Sequence, residues 1–334
     1  MASSSSNMRL LQWCLFCVLL GTAFAQLSED YYSSSCPQAL SIIESEIKSA
    51  ISKDTYLGAP LMKIHVKDCL FGGCDGSIML NETGSFIAGN PKAKNFNTET
   101  GYEVIDGIKA RLEKECPGVV SCADILAVVA RDAVAKLGGP NWTVPLGRRD
   151  SDQALKVQLD SIAGILLGDL DTKIAAFNVL GFTKDEYVAL QGGHTVGRAR
   201  CMFYKKRIHD EKVDIDPKYA EALQANCPAI GGENNTASLD TTTPYVFDNA
   251  YFTNLINKKG LLESDQELYT GKRGKTDSIV QSFSSNKELF FEVFSKAFLK
   301  VGNMQIVTGT NGEVRKNCRV KGNNNVLQGL TDRL

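Results

Sequence analysis

Residues Lys63–Ser77 read KIHVKDCLFGGCDGS and combine a helical start with a tight loop between two cysteines. Good helix formers precede the first glycine, Gly72, so a helix is expected to end there. Around the loop, Asp68, Asp75 and Ser77 lie on bendable, glycine-rich backbone. Several oxygens on such a chain, some of them charged, are what Ca²⁺ takes as ligands. The stretch therefore predicts a calcium site, and a surface loop closed by a small disulfide is the alternative.

The composition and the N-terminal segment indicate a large secreted protein and do not indicate binding to nucleic acid. The chain has 334 residues, 43% of them hydrophobic, which is enough for one large domain or two lobes. Its formal net charge is -1 and it has no basic block, so no nucleic-acid partner is expected. Residues 1–25 combine Arg9, an apolar run and the triplet Ala23-Phe24-Ala25, which predicts a cleaved secretory signal. The run is too short for a membrane anchor, so no membrane partner is expected.

The cysteine count predicts a disulfide-bonded secreted fold. Cys14 and Cys17 leave with the signal, and an even number of cysteines remains, which predicts four disulfides whose pairing the count leaves open. Sequons for N-glycosylation occur at Asn81, Asn141 and Asn234. Asn141 is the least favoured of these, because the next residue, Trp142, is expected to be packed.

Helical periodicity dominates the chain, and alternating strand patterns are few, so the predicted fold is mainly α. Ser121, with Asp124 three residues later, has the pattern of a capping box that opens an apolar helix. That helix is expected to end at the breaker that begins with Gly138. Helices are predicted over 39–53, 122–137, 155–180, 185–191 and 288–301.

The opening stretch resembles the haem-binding helix and calcium loop of the secreted plant (class III) haem peroxidases, whose pattern is R-L-H-F-H-D-C-x-x-x-G-C-D-x-S. The resemblance covers roughly residues 26–320 and includes GYEVID at 101–106, VSCADILA at 120–127, VPLGRRDS at 144–151 and LQGGHTVGRARC at 190–201. It implies a mainly α, two-lobed fold with haem b between the lobes, four disulfides and two Ca²⁺ ions. The implied boundaries are 26–160 for the distal lobe and 161–320 for the proximal lobe.

The resemblance implies that His194, in QGGHTVG, is the axial ligand of the haem iron. Taken by itself, a lone histidine near a helix end is more often structural. The two glycines before it would allow a flat ligand to approach the backbone closely. Asp265 is implied as the carboxylate that accepts the other ring N–H of His194. His209, in the charged run KKRIHDEK, is expected to be solvated.

The remaining family features are also carried over by resemblance. The implied ligands of the distal calcium are Asp68, the carbonyls of Phe71 and Gly73, Asp75 and Ser77. The implied ligands of the proximal calcium are Thr195, Asp240, Thr243, the carbonyl of Val246, and Asp248. The implied disulfides are Cys36–Cys116, Cys69–Cys74, Cys122–Cys318 and Cys201–Cys227.

The peroxide side of the pattern departs from the family. Lys63 stands where the arginine is expected and Lys67 where the catalytic histidine is expected, whereas Asn95 matches the asparagine that orients that histidine. Peroxide cleavage needs a base of near-neutral pKa and a fixed planar cation, tasks that suit histidine and arginine. The two lysines are four residues apart, so they are expected to overhang the haem together. His65 points away and cannot replace either.

Other departures concern the same pocket. Val66 replaces an aromatic residue, and Tyr56 and Pro60 replace an arginine and a serine that meet the haem propionates in the family. Two functions follow from the pattern. One is a secreted monomeric peroxidase that oxidises phenolic donors with H2O2, with strongly impaired catalysis. The other is a non-catalytic scaffold that binds haem and calcium and acts in binding or sensing.

The expected location is outside the cell, either extracellular or in the cell wall. Residues 321–334 form a polar tail, which is either a removable propeptide that directs the protein to the vacuole or a disordered end.

Overall fold

The computed structural model describes residues 27–81, 98–153, 168–211 and 214–322. The expected signal segment, Asn95, residues 155–167 of one predicted helix and the tail beyond residue 322 lie outside these ranges.

The described residues are mainly helical, as predicted. The helices are α1 (Ala39–Lys53), α2 (Gly58–Phe71), α3 (Thr98–Glu115), α4 (Cys122–Lys136), α5 (Leu170–Val179), α6 (Lys184–Gln191), α7 (Pro217–Gln224), α8 (Ala250–Ile256), α9 (Glu263–Gln266), α10 (Asp277–Ser285) and α11 (Lys287–Val301). Short 3-10 turns cover Thr55–Leu57, Ser77–Met79, Gly192–Thr195 and Cys201–Phe203, and a π turn covers Arg207–Glu211. Strands β1 (Arg198–Arg200) and β2 (Thr236–Ser238) pair antiparallel.

Helix α1 shows why the helical pattern was readable from the sequence. Its buried isoleucines, Ile43, Ile47 and Ile51, recur every four residues and lie on one face. That face packs on α4, which is buried over most of its length, and α4 in turn packs on α2. The expected helix over 39–53 is confirmed with the same bounds.

The start of α4 differs from the expected capping box. The Ser121 hydroxyl accepts from the Asp124 amide at 3.1 Å, as predicted. The Asp124 carboxylate does not reach back to the Ser121 amide. It accepts instead from the Tyr32 hydroxyl and the Gly147 amide, each at 2.7 Å, and pairs with Arg148 at 3.0 Å. Asp124 is fully buried, and tertiary partners outcompete the local cap there.

Four disulfides form, with the pairs that the resemblance implies: Cys36–Cys116, Cys69–Cys74, Cys122–Cys318 and Cys201–Cys227. The Cys122–Cys318 bridge joins residues 196 positions apart and ties the end of the described chain to the start of α4. A link over so long a separation removes much conformational freedom from the unfolded chain.

The apolar core continues from the α1–α4 layer into an aromatic cluster beneath α6. Phe252, Phe290 and Phe294 of this cluster are buried and in ring contact with one another or with neighbouring rings. Helix α11 packs on both α6 and α2. The segment after α6 is thereby held facing α2. Among the described residues, no helix is long and apolar enough to cross a membrane.

Candidate functional site

A cavity of about 430 Å³ lies between α2 and the segment that follows α6. Its α2 wall includes Met62, Lys63 and Val66, and its opposite wall includes His194. Leucine, valine and alanine side chains cover much of the remainder. An apolar cavity of this size with a few convergent polar groups suits a flat organic cofactor.

His194 is positioned by the short 3-10 turn at the end of α6 and by a buried carboxylate. Its Nδ1 lies 2.7 Å from Oδ1 of Asp265, which is fully buried. The Asp265 carboxylate also accepts from the Tyr251 hydroxyl at 3.1 Å and from the Leu262 amide at 3.1 Å. With Nδ1–H donating to Asp265, the Nε2 lone pair is left for the cavity, and the ring is 37% exposed there. The residues present therefore fit an axial haem ligand.

The two glycines before His194 differ in their surroundings: Gly192 lies against aromatic side chains, whereas Gly193 lines the cavity. A Cβ on Gly192 would lie 2.6 Å from the Phe290 ring and 2.7 Å from the Phe252 ring. A Cβ on Gly193 would meet the Met62 methyl at 3.3 Å. The expectation of close backbone approach to a ligand is therefore wrong for Gly192, which lies against the aromatic cluster.

Of the two lysines on α2, Lys63 lines the cavity and Lys67 is not among its described lining residues. The protein around Lys63 displaces water and lowers its pKa, although the side chain stays exposed at the cavity wall. The charge of Arg200 lowers the pKa of Lys63 further. Burial, together with the charge of Lys63, lowers the pKa of Lys67 to about 8. Lys67 is half-buried one helical turn beyond Lys63. Lys63 thus reaches the cavity wall, and the expectation that both lysines overhang the haem stays a prediction.

His65 faces the core, as predicted. It is buried, with its ring centroid 5.7 Å from that of Phe298. Burial, with a smaller effect of the charge of Arg148, lowers the pKa of His65 to about 3. It therefore stays neutral over the physiological range and does not serve the cavity.

Two aspartates face each other at the end of α2. The Asp68 carboxylate accepts from the Gly76 amide at 2.8 Å and from the Ile78 amide at 3.2 Å. Burial and the charge of Asp75 raise the pKa of Asp68 to about 7. Burial also raises the pKa of Asp75. A bound cation would relieve the mutual repulsion of these two carboxylates.

The space at Gly72 is lined by oxygens of the same turn. A Cβ on Gly72 would lie 2.6 Å from Ser77 Oγ, 3.0 Å from the Asp68 carbonyl oxygen and 3.2 Å from Asp75 Oδ1. The Asp68 carbonyl oxygen already accepts from the Gly72 and Gly73 amides. The Ser77 hydroxyl and the Asp75 carboxylate are therefore the oxygens at this position that suit a hard cation such as Ca²⁺.

A second group of oxygens lies beside His194. The hydroxyl of Thr195 lies 3.2 Å from Asp240 Oδ2 and 3.4 Å from Asp248 Oδ1. The Thr243 hydroxyl lies 3.5 Å and 3.0 Å from the same two oxygens. Burial is the main cause of the raised pKa of Asp240, and the charge of Asp248 adds to it. Four of the five expected ligands are thus together, and the fifth, Val246, donates its amide to the Thr243 carbonyl at 3.0 Å.

Both oxygen groups rest on two carboxylates each. Within the described part of the chain, no set of three or more His, Cys, Asp or Glu side chains is arranged to hold a metal. Hydroxyl and carbonyl oxygens would therefore supply the remaining ligands, as a hard, oxygen-seeking cation allows.

The three sequons and His209 can be compared with their expected exposure. Asn81, Asn141 and Asn234 are all exposed. Trp142 packs against Phe298 at 5.3 Å between ring centroids, yet the Asn141 side chain stays accessible. The expectation of a solvated His209 is wrong. Its ring is half-buried, and Nε2 lies 2.8 Å from the Cys227 carbonyl oxygen.

Sequence reasoning missed a tyrosine pair of which one member lines the cavity. Tyr56, just before α2, forms a hydroxyl–hydroxyl hydrogen bond with Tyr245, 189 positions later. Their ring centroids are 4.8 Å apart, and the Arg198 guanidinium lies 4.0 Å from the centroid of the Tyr56 ring. No local sequence signal joins Tyr56 to Tyr245, because the contact forms only when the chain folds.

Comparison with known proteins gives a consistent result. A family model described as Peroxidase matches residues 43–286. Peroxidase 4 of Vitis vinifera is 42% identical over 320 residues, covering 95% of this chain and 99% of that protein. Peroxidase 68 of Arabidopsis thaliana is 44% identical, covering 91% and 94%. Peroxidase 2 of Oryza sativa subsp. japonica is 44% identical, covering 95% and 99%.

Proposed function

This chain belongs to the peroxidase family, and from that membership we propose that it is a secreted haem protein whose reaction with H2O2 is strongly impaired. The family couples H2O2 reduction to the oxidation of small donors and carries haem and calcium. The observation that carries the proposal is that Lys63 and His194 line one cavity, with Lys67 four residues after Lys63 on the same helix. In this proposal the two lysines occupy the positions of the distal arginine and histidine.

His194 and Asp265 would hold the haem from one side. When bound, haem supplies the redox-active iron. Within the protein, Asp265 keeps the proton on Nδ1, so that Nε2 presents its lone pair to the cavity. Because Tyr251 and Leu262 hold the carboxylate in place, the ring orientation is set before the cofactor arrives.

On the side of the cavity opposite His194, the lysines would supply positive charge, but neither would be an effective base. Moving a proton between the two oxygens of H2O2 needs a group that is partly deprotonated near neutral pH. The pKa of Lys67, about 8, leaves most of the amine protonated at neutral pH. Lys63 is a flexible point charge and lacks the planar set of donors of an arginine. In this proposal, peroxide cleavage is therefore slow.

We also propose the finer assignments that the resemblance implies. The distal calcium would use Asp68, Asp75, Ser77 and the carbonyls of Phe71 and Gly73. The proximal calcium would use Thr195, Asp240, Thr243, Asp248 and the carbonyl of Val246. The lobes are 26–160 and 161–320, the protein is a monomer, and the donors are phenols.

The test restores the expected groups. Lys67→His, Lys63→Arg and the double variant are compared with wild type for the rate of H2O2 consumption by stopped flow. Lys67→His should give most of the gain, about 10²–10⁴-fold, because without a base no proton moves. Lys63→Arg alone should change little, and the two effects should not add simply. A wild type as fast as the double variant contradicts the proposed impairment.

The same experiment tests the second function, a haem- and calcium-binding scaffold that acts in binding or sensing. The two lysines favour it, because both groups that would cleave peroxide differ from the family's. A wild type that binds haem but consumes no H2O2 above free haem supports the scaffold. Slow but measurable turnover with a phenolic donor supports the impaired enzyme.

A further inference from the structure

The Tyr56–Tyr245 pair joins two distant parts of the chain beside the cavity wall. Tyr56 lies in the 3-10 turn before α2 and lines the cavity. Tyr245 lies between Thr243 and Asp248 of the proximal oxygen group and is 45% exposed. The contact therefore connects the helix that carries Lys63 to the loop beside His194.

We propose that Tyr56 and Tyr245 form an oxidisable phenol pair, and that oxidation joins them covalently as a dityrosine at the cavity wall. The proposal rests on the proposed function, because H2O2 is the oxidant that the protein's own family chemistry would use. A phenol placed at the cavity wall is then a donor built into the protein.

The step balances with one molecule of H2O2 for each cross-link. Each phenol loses one electron and one proton, which gives two neutral phenoxyl radicals. A carbon–carbon bond forms between one ortho carbon of each ring, and the rings regain aromaticity by moving the ortho hydrogens to oxygen. Two hydrogen atoms leave in total, and H2O2 takes them up as it is reduced to two waters.

The geometry favours coupling within the pair. A hydrogen bond between two phenol hydroxyls places the adjacent ortho carbons of both rings close to each other. The edge-to-face ring contact, with centroids 4.8 Å apart, leaves no other side chain between the rings. Arg198 over the Tyr56 ring disfavours a positive charge there, so loss of the electron would be accompanied by loss of the phenol proton.

The second tyrosine pair of the described chain is arranged differently. The ring centroids of Tyr31 and Tyr32 are 5.0 Å apart. The Tyr32 hydroxyl, however, is buried and donates to Asp124 at 2.7 Å. Tyr31 is 42% exposed, close to the value for Tyr245, so it controls for exposure without the hydroxyl–hydroxyl contact.

The experiment maps cross-linked peptides in the haem-loaded protein under two oxidants. One arm uses H2O2. The other uses photoexcited tris(bipyridine)ruthenium(II) with persulfate, which oxidises phenols without peroxidase chemistry. The readouts are dityrosine fluorescence and a peptide pair containing Tyr56 and Tyr245, lighter than their sum by two hydrogen atoms and resistant to thiol reduction.

In the ruthenium arm we expect this cross-linked pair in wild type and in Tyr31→Phe. It should be lost in both Tyr56→Phe and Tyr245→Phe, which keep the rings but remove one hydroxyl. Absence of the pair from wild type in this arm overturns the proposal. A pair that forms with ruthenium but not with H2O2 supports the phenol pair and shows that the protein's own peroxide chemistry has failed.

Discussion

At the scale of single residues, the protonation of Lys67 is expected to control the reaction with peroxide. Burial and the neighbouring Lys63 charge lower the pKa of Lys67 to about 8. Below this pH the amine is protonated and accepts no proton, whereas above it the neutral amine becomes a base. The rate of H2O2 consumption should therefore rise as the pH increases through 8.

The measurement is a stopped-flow pH profile of wild type and Lys67→Met, with Lys136→Met as a control on a helix that does not line the cavity. Lys67→Met should lose the rise and Lys136→Met should keep it. A profile in Lys67→Met with the same midpoint as wild type would assign the titration to another group.

At the scale of elements, Arg148 links the start of α4 to the end of α11. Its buried guanidinium pairs with Asp124 at 3.0 Å and donates to the Gly302 carbonyl at 2.6 Å. Replacing it in Arg148→Met leaves a buried carboxylate without its cation. We expect the free energy of unfolding to fall by about 3–5 kcal/mol, measured by urea denaturation.

The matched control is Arg111→Met. Arg111 pairs with Glu46 on the surface, and both side chains are well exposed. Exposed ion pairs contribute at most about 1 kcal/mol, because water and salt screen them. Equal losses in the two variants would mean that the buried network does not hold α4 and α11 together.

At the scale of the whole molecule, calcium is expected to stabilise the fold from both sides of the cavity. One oxygen group ends α2 and the other adjoins His194, so removing the ions should loosen both walls. At a free concentration of 100 times Kd, one such ion contributes about 2.7 kcal/mol. Excess EDTA should lower Tm, and added Ca²⁺ should restore it, while Mg²⁺ should not.

The calcium effect should also depend on pH. The pKa of Asp68 is about 7 without a cation, so protons compete with Ca²⁺ below that pH. The Tm difference between calcium and EDTA should therefore grow as the pH rises through 7. Asp68→Asn, which cannot titrate at position 68, should show a smaller difference with a weaker pH dependence, because Asp75 remains. A difference in wild type that shrinks over this range would contradict the assignment.

The sequence by itself determined the features that depend on neighbouring residues or on long motifs. The helix over 39–53 follows from isoleucines at helical spacing, because residues about four positions apart lie on the same face of a helix. The resemblance supplied the disulfide pairs, His194 with Asp265, and four members of the proximal oxygen group, which the structure brings together. These features could be predicted because each residue lies within a contiguous motif that resembles the family's.

Only the tertiary structure decided the features that depend on contacts between distant residues. Asp124 turns away from its local cap because Tyr32 and Arg148 are its neighbours in space. The hydrogen bond between Tyr56 and Tyr245 spans 189 positions. The pKa of Lys67 is lowered because of how deeply packing buries its helix face, and helical spacing alone carries no measure of burial. Periodicity reports which face of a helix is apolar, but packing selects the partners and the dielectric environment that control the chemistry.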